Sequence, residues 1–247
     1  MSMHELFADG DPIPVGLRVG DLIHGLRVLA VRAGGVGVTL SAEQQADQAM
    51  DNLRRTVTAA GASIDNVAQV SFFAKNQADL RAINPAWLEV FPDDDDRPTY
   101  KFMTADLPGD QLFQLEFFAV AGQRRRLLHI PNVAHTNPIP MGVRIGKYVF
   151  SSRVLPYDPD TGQAPEGIER QAACLFGNVR SLLQAAEAQP EHISQGRLFF
   201  SDAAYLPLAE SLWTDLIKNS KQDPPLHLTP YNLAPSLLVM LEFVAIR

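Results

Sequence analysis

Two glutamates and two arginines recur in this 247-residue chain at positions where they could do chemistry. Glu116 lies in Leu112-Phe113-Gln114-Leu115-Glu116-Phe117-Phe118, and Glu242 lies in a still more apolar run. A carboxylate among apolar neighbours is desolvated, which raises its pKa toward neutrality and suits it to general acid/base work. The same placement fits a structural glutamate paired to a buried Arg or a backbone amide. Arg27 and Arg153 also stand among apolar residues. A buried guanidinium must meet a carboxylate, either of a ligand that it grips bidentately or of Glu116 or Glu242 in the same domain. His24 neighbours Arg27 and reads as a cleft residue or as a satisfied core histidine. Asn84 reads equally as a polar residue on an exposed helix face or as part of a site.

Other chemistries find little support. The six histidines (4, 24, 129, 135, 192 and 227) form no i, i+4 pair and have no carboxylate at ligand spacing, so no metal is expected. The single cysteine, Cys174, excludes an internal disulfide and suits a packing role in a reducing cytoplasm. Gly34-Gly35-Val36-Gly37 lacks a following Lys-Ser/Thr and reads as a hairpin connection rather than a phosphate loop. Asp93 to Asp96 reads as a solvated loop, since calcium requires spaced ligands. Arg18 and Arg144 precede a turn and read as solvated. No cofactor is therefore expected. A composition 46% hydrophobic and 20% charged indicates a soluble, globular chain, and the net charge of −7 argues against nucleic acid or an anionic membrane as partner. No apolar run is long enough to span a membrane, and the first residues lack the pattern of a secretory signal, so a cytoplasmic location is expected.

The elements that must position these residues come in duplicate. Pro12-Ile13-Pro14-x-Gly16-x-Arg18-x-Gly20 recurs 126 residues later as Pro138-Ile139-Pro140-x-Gly142-x-Arg144-x-Gly146. Without a gap, 29 residues between 12 and 119 are identical to their partners, where roughly seven would match by chance. The spacing thus predicts two homologous domains, 1–122 and 136–247, joined by a polar linker over 123–135. In each, a strand pair leads to a long helix. The first of these helices opens on a Ser41-to-Gln44 capping box and stops at Gly61. A strand (67–74), a second helix capped by Asn76, and two more strands (99–104 and 112–121) complete the first half. The second half repeats the order: a helix near 167–186, a strand at 193–201, a helix from Asp202, then strands at 226–231 and 237–246. The predicted order is ββαβαββ, an α+β fold with two helices on one face of a mixed sheet.

These landmarks resemble the RidA (YjgF) family of enamine/imine deaminases in two tandem copies. The resemblance is carried by the Pro-rich turn before the x-Arg-x-Gly strand, by Ala59-Ala60-Gly61, by Asp79-Leu80-x-x-Ile83-Asn84-x-x-Trp87, and by Leu107-Pro108 followed by Leu115-Glu116. It implies a chorismate-mutase-like fold, trimeric assembly, and sites in clefts between neighbouring subunits. For a two-domain chain it implies a homotrimer with six domains. The site departs from the family pattern. The column of the family's carboxylate-binding Arg holds Thr99 and Pro225, and Arg97 stands two residues earlier. Ile13 and Ile139 replace the early Tyr. The Ser-Gly-Gln segment reads Leu26-Arg27-Val28 and Ser152-Arg153-Val154. Glu116 and Glu242 keep the last-strand glutamate, while Asn84 faces Glu210 in the repeat. Two-copy members with an altered site resemble 2-aminomuconate deaminases. The resemblance therefore implies hydrolysis of the enamine of a small dicarboxylate, with Glu116 or Glu242 moving the proton and Arg27 or Arg153 holding a carboxylate. A broad 2-aminoacrylate-type deaminase and a non-catalytic ligand-binding or assembly module are the alternatives.

Overall fold

Ser41 starts the first long helix by the capping box expected of it: its Oγ accepts from the Gln44 N–H, and the Gln44 side chain accepts from the Ser41 N–H. The helix, α1 (Ala42–Ala59), buries Ala46, Ala49, Met50, Leu53 and Val57 along one stripe. It ends before Gly61, whose φ of 75° is a left-handed conformation natural only to glycine. The computed structural model describes residues 3–7, 14–30 and 40–247; Pro12, Ile13 and the Gly34-Gly35-Val36-Gly37 connection lie outside the described residues.

The chain divides into two units, Met1–Arg125 and Arg126–Arg247. In the first, strands β1 (Met3–Phe7), β2 (Pro14–Val19) and β3 (Leu22–Leu29) precede α1. Then follow β4 (Val67–Ala74), α2 (Ile83–Val90), β5 (Thr99–Thr104) and β6 (Phe113–Val120). The sheet order is β1-β2-β3-β6-β4-β5, with β4 and β5 parallel and their neighbours antiparallel. The second sheet repeats that order with β7 (Arg125–Leu128), β8 (Gly142–Ile145), β9 (Tyr148–Ser151), β12 (Val239–Ile246), β10 (Ile193–Phe200) and β11 (Leu226–Pro230). Helices α3 (Ile168–Ala185) and α4 (Leu206–Ile217) accompany it. The fold is two tandem α+β domains, each with two helices and a mixed sheet.

The structure adds one strand to each predicted half, because β1 and β7 continue the sheet beyond the expected strand pair. The added strand β7 falls within the stretch read as linker, 123–135, where Leu128, Ile130 and Val133 are buried. The polar run of three arginines hid it. Asn76 also differs from expectation: it precedes a 3-10 turn (Gln77–Ala82), and its amide donates to Asp79 instead of capping a helix.

Alternation along β6 sets the two faces of the first sheet. Phe113, Leu115, Phe117 and Ala119 are buried on the side of Trp87 and α1, whereas Gln114, Glu116 and Phe118 face the other way, half-buried. Duplicated polar clamps fix the helices to the sheet. Gln45 donates to Asp110 O and accepts from the Leu112 N–H; Gln171 does the same with Ser236 O and the Leu238 N–H. Asn52 and Asn178 donate to the carbonyls of Leu29 and Leu155. Arg18 and Arg144, read as solvated, instead donate to the turn carbonyls of Gly20 and Gly146 and to Ala60 O and Ala186 O at the helix ends.

Candidate functional site

The strand register puts each candidate arginine beside its candidate glutamate. Gly25 pairs with Phe117 and Val28 with Leu115, so two residues, Leu26 and Arg27, oppose the single Glu116. That is a β-bulge, a device that re-aims a side chain. Gly25 is required beside it, since a Cβ there would come within 2.0 Å of the Phe117 ring. The second unit builds the same feature. Phe150 pairs with Val244 and Val154 bridges Leu241, leaving Ser152 and Arg153 opposite Glu242, while the Phe243 N–H donates to Ser151 Oγ at 2.7 Å.

Around Glu242 the second unit assembles a polar cluster. Glu242 is buried, and Arg197, its cross-strand partner on β10, brings Nε to 3.9 Å from Oε1. Arg153 places its guanidinium carbon 4.3 Å from the centroid of the Phe199 ring and 4.6 Å from that of Tyr231. Those rings hold the guanidinium by cation–π attraction. His135 Nε2 lies 2.7 Å from Ser152 Oγ, whose hydroxyl donates to Met141 O at 2.8 Å. With that proton committed, the serine oxygen accepts from a neutral imidazole bearing its proton on Nε2. Burial, and secondarily the charge of Arg153, push the His135 pKa down to about 4.

The first unit is chemically different. His24 stacks on Phe118, with ring centroids 4.1 Å apart and planes inclined at 16°, on the same face as Glu116. Burial lowers the His24 pKa. Ser71 is the cross-strand partner of Glu116, where the second unit has Arg197. Asn84 accepts from the Tyr100 hydroxyl at 2.6 Å, and Tyr100 packs edge-on against Phe72 and Trp87 in the core. Asn84 therefore belongs to the helix side of the sheet. Within this unit it is not brought together with His24, Arg27 and Glu116 on the opposite face. Burial raises the Tyr100 phenol.

Several further residues are structural. Thr99 is buried and accepts from the Gln69 amide at 3.0 Å. Arg97 donates to Phe91 O and Pro92 O and pairs with Asp94. Arg125 is buried, pairs with Asp96 at 2.8 Å, and donates to Ile64 O and Val67 O. Two of the four aspartates read as a solvated loop thus neutralise arginines. Cys174 is half-buried, and burial raises its thiol pKa. Among the described residues, no three His, Cys, Asp or Glu side chains are grouped to hold a metal, and no helix is long and apolar enough to cross a membrane.

Known proteins bear on this geometry. The family model described as endoribonuclease L-PSP matches residues 25–121, from the bulge to the end of β6. The first unit thus matches the RidA (YjgF) family, over less than half of the chain. Its relatives include the RutC family protein UK114 of Drosophila melanogaster, 34% identical over 80 residues, which are 32% of this chain and 56% of that protein. A protein of Salmonella typhimurium named 2-iminobutanoate/2-iminopropanoate deaminase is 32% identical over 69 residues, 28% of this chain and 54% of its own. A RutC family protein of Aquifex aeolicus is 25% identical over 92 residues, 35% of this chain and 74% of its own. Among solved structures, the YjgF gene product of E. coli aligns with 49% of this chain and 98% of its own, at 21% identity and a TM-score of 0.45.

Arg197, Tyr231, His135 and Ser152 escape a search for duplicated residues, whereas Phe199 is duplicated as Phe73. A comparison of unlike columns would find three of the four: at the 126-residue offset, Arg197 stands against Ser71, Tyr231 against Ala105 and Ser152 against Leu26.

Proposed function

We propose that this RidA-family protein is a cofactor-independent deaminase that hydrolyses the enamine of a small unsaturated dicarboxylate, 2-aminomuconate or a substituted relative. The observation that carries the reading is the Arg-opposite-Glu bulge, present in both units, with Arg153, Arg197 and Glu242 grouped in the second. Relatives named as deaminases support the reaction class. In the proposed reaction the enamine gains a proton at carbon and loses one from nitrogen, becoming an imine. Water adds to the imine carbon, and the carbinolamine expels ammonia to leave a 2-oxo acid. Glu242, or Glu116 in the first unit, moves the proton and orients the water. Arg153, or Arg27, holds a carboxylate and stabilises developing charge through fixed dipoles and charges. His24 lines the first-unit site, and Asn84 would act only if a second subunit brought its helix to a cleft. Family resemblance supports a homotrimer of six domains in the cytoplasm.

The test is to generate 2-aminomuconate in situ and follow its absorbance together with ammonia, with and without protein. Acceleration above the spontaneous rate is expected. An unaltered rate would remove this substrate and favour a ligand-binding module.

A further inference from the structure

We infer that Arg197 is the second carboxylate anchor of the second unit and makes that unit the one that selects dianionic ligands. Arg197 sits on the same face of the sheet as Glu242 and keeps 38% of its side chain exposed, so its donors remain within reach of a ligand. Arg153 arrives at the same place from the other side. It follows β9, yet its guanidinium lies over Phe199, which is on β10 two residues beyond Arg197. Residues two apart on a strand share a face and lie about 6.6 Å apart. Arg153 is thus held over the residue next to Arg197 on that face of the sheet, so that two guanidinium-bearing side chains serve one side of Glu242's strand. A guanidinium fork grips a carboxylate bidentately, a geometry that a point-like ammonium does not reproduce.

The first unit lacks this arrangement. Ser71 occupies the Arg197 position, and the cation next to it is Lys101 on β5, whose counterpart beside Arg197 is His227. Two homologous sheets therefore present different charge patterns beside the same glutamate.

This assignment rests on reading Arg153 and Glu242 as the binding site, but not on the reaction, and binding alone can test it. The probes are cis,cis-muconate, a six-carbon diacid without the amine, and sorbate, its monocarboxylate counterpart, titrated calorimetrically into the full chain. Wild type is expected to prefer muconate by at least tenfold. Arg197→Ser, which copies the first unit, is expected to cut that preference tenfold or more. Arg197→Lys, which retains charge and bulk should the serine variant fail to fold, is expected to cut it three- to fivefold. A purely structural role for Arg197 would change both affinities together and leave the ratio alone, which would overturn the assignment. Wild type that binds muconate no better than sorbate, or not at all, would overturn it too. Preference for muconate that depends on Arg197, without ammonia release from 2-aminomuconate, would sink the deaminase reading and leave the anchor standing.

Discussion

Arg153 reaches across β12 to lie 4.3 Å from the ring of Phe199, so the guanidinium that follows β9 is held on the strand that carries Arg197. Tyr231 closes the other contact at 4.6 Å and itself meets Phe199 edge-on. Removing one aromatic partner of a partly desolvated cation costs about 1 kcal/mol, or about fivefold in affinity. Tyr231→Leu should therefore weaken cis,cis-muconate binding about fivefold in calorimetric titration. Unchanged affinity would mean that the rings do not position Arg153 for a ligand.

His135 makes stability depend on pH. Its folded pKa of about 4 lies below the ordinary imidazole value of 6.5, so the unfolded chain binds the proton more tightly. Stability contributed by the neutral imidazole is present above pH 6.5 and is lost as pH falls toward 4. The loss at pH 4.5 relative to pH 7 is roughly 2–3 kcal/mol. His135→Gln keeps an N–H donor toward Ser152 and removes the titration. Urea denaturation at the two pH values should show wild type losing more stability than the variant, and equal losses would contradict the assigned protonation state.

The duplicated glutamine clamps should matter equally in the two units. Gln45 and Gln171 are both buried, and each satisfies one backbone carbonyl and one backbone N–H across the helix–sheet seam. Truncation strands those groups at a cost of about 2–4 kcal/mol. Gln45→Ala and Gln171→Ala should each lower the denaturation midpoint of their own unit, read by urea titration. A midpoint shift confined to one variant would break the equivalence of the clamps.

Assembly offers a separate check. Light scattering should give three times the 27.1 kDa of one chain. A monomer would remove the trimer from the proposal.

Most of the fold was legible because duplication let each element be read twice. The Ser41 capping box, the Gly61 stop and the strand at 67–74 are local signals, and tertiary packing did not override them. The extra strands β1 and β7 were not legible: they are edge strands held by one neighbour, and β7 opens on charged residues that resemble a linker. Identity at a fixed offset found Arg27, Arg153, Glu116 and Glu242, and the bulges explain why each Arg meets its Glu. The same criterion passed over Arg197, which is absent from the first copy. It also misread Arg18 and Arg144, whose partners are backbone carbonyls that sequence spacing does not reveal. Asn84 followed family resemblance, and its bond to Tyr100 puts it on the helix side.

The central claim is that a bulge-facing glutamate moves the proton in enamine hydrolysis, and that the second unit's site is the better equipped one. Ammonia release from 2-aminomuconate, measured for wild type, Glu242→Gln and Glu116→Gln, tests it directly, since a neutral amide cannot transfer the proton. General acid/base contributions are about 10²–10⁴-fold. Glu242→Gln should lower kcat by about 10²-fold or more and Glu116→Gln by clearly less. Equal, small losses in the two variants would contradict the account.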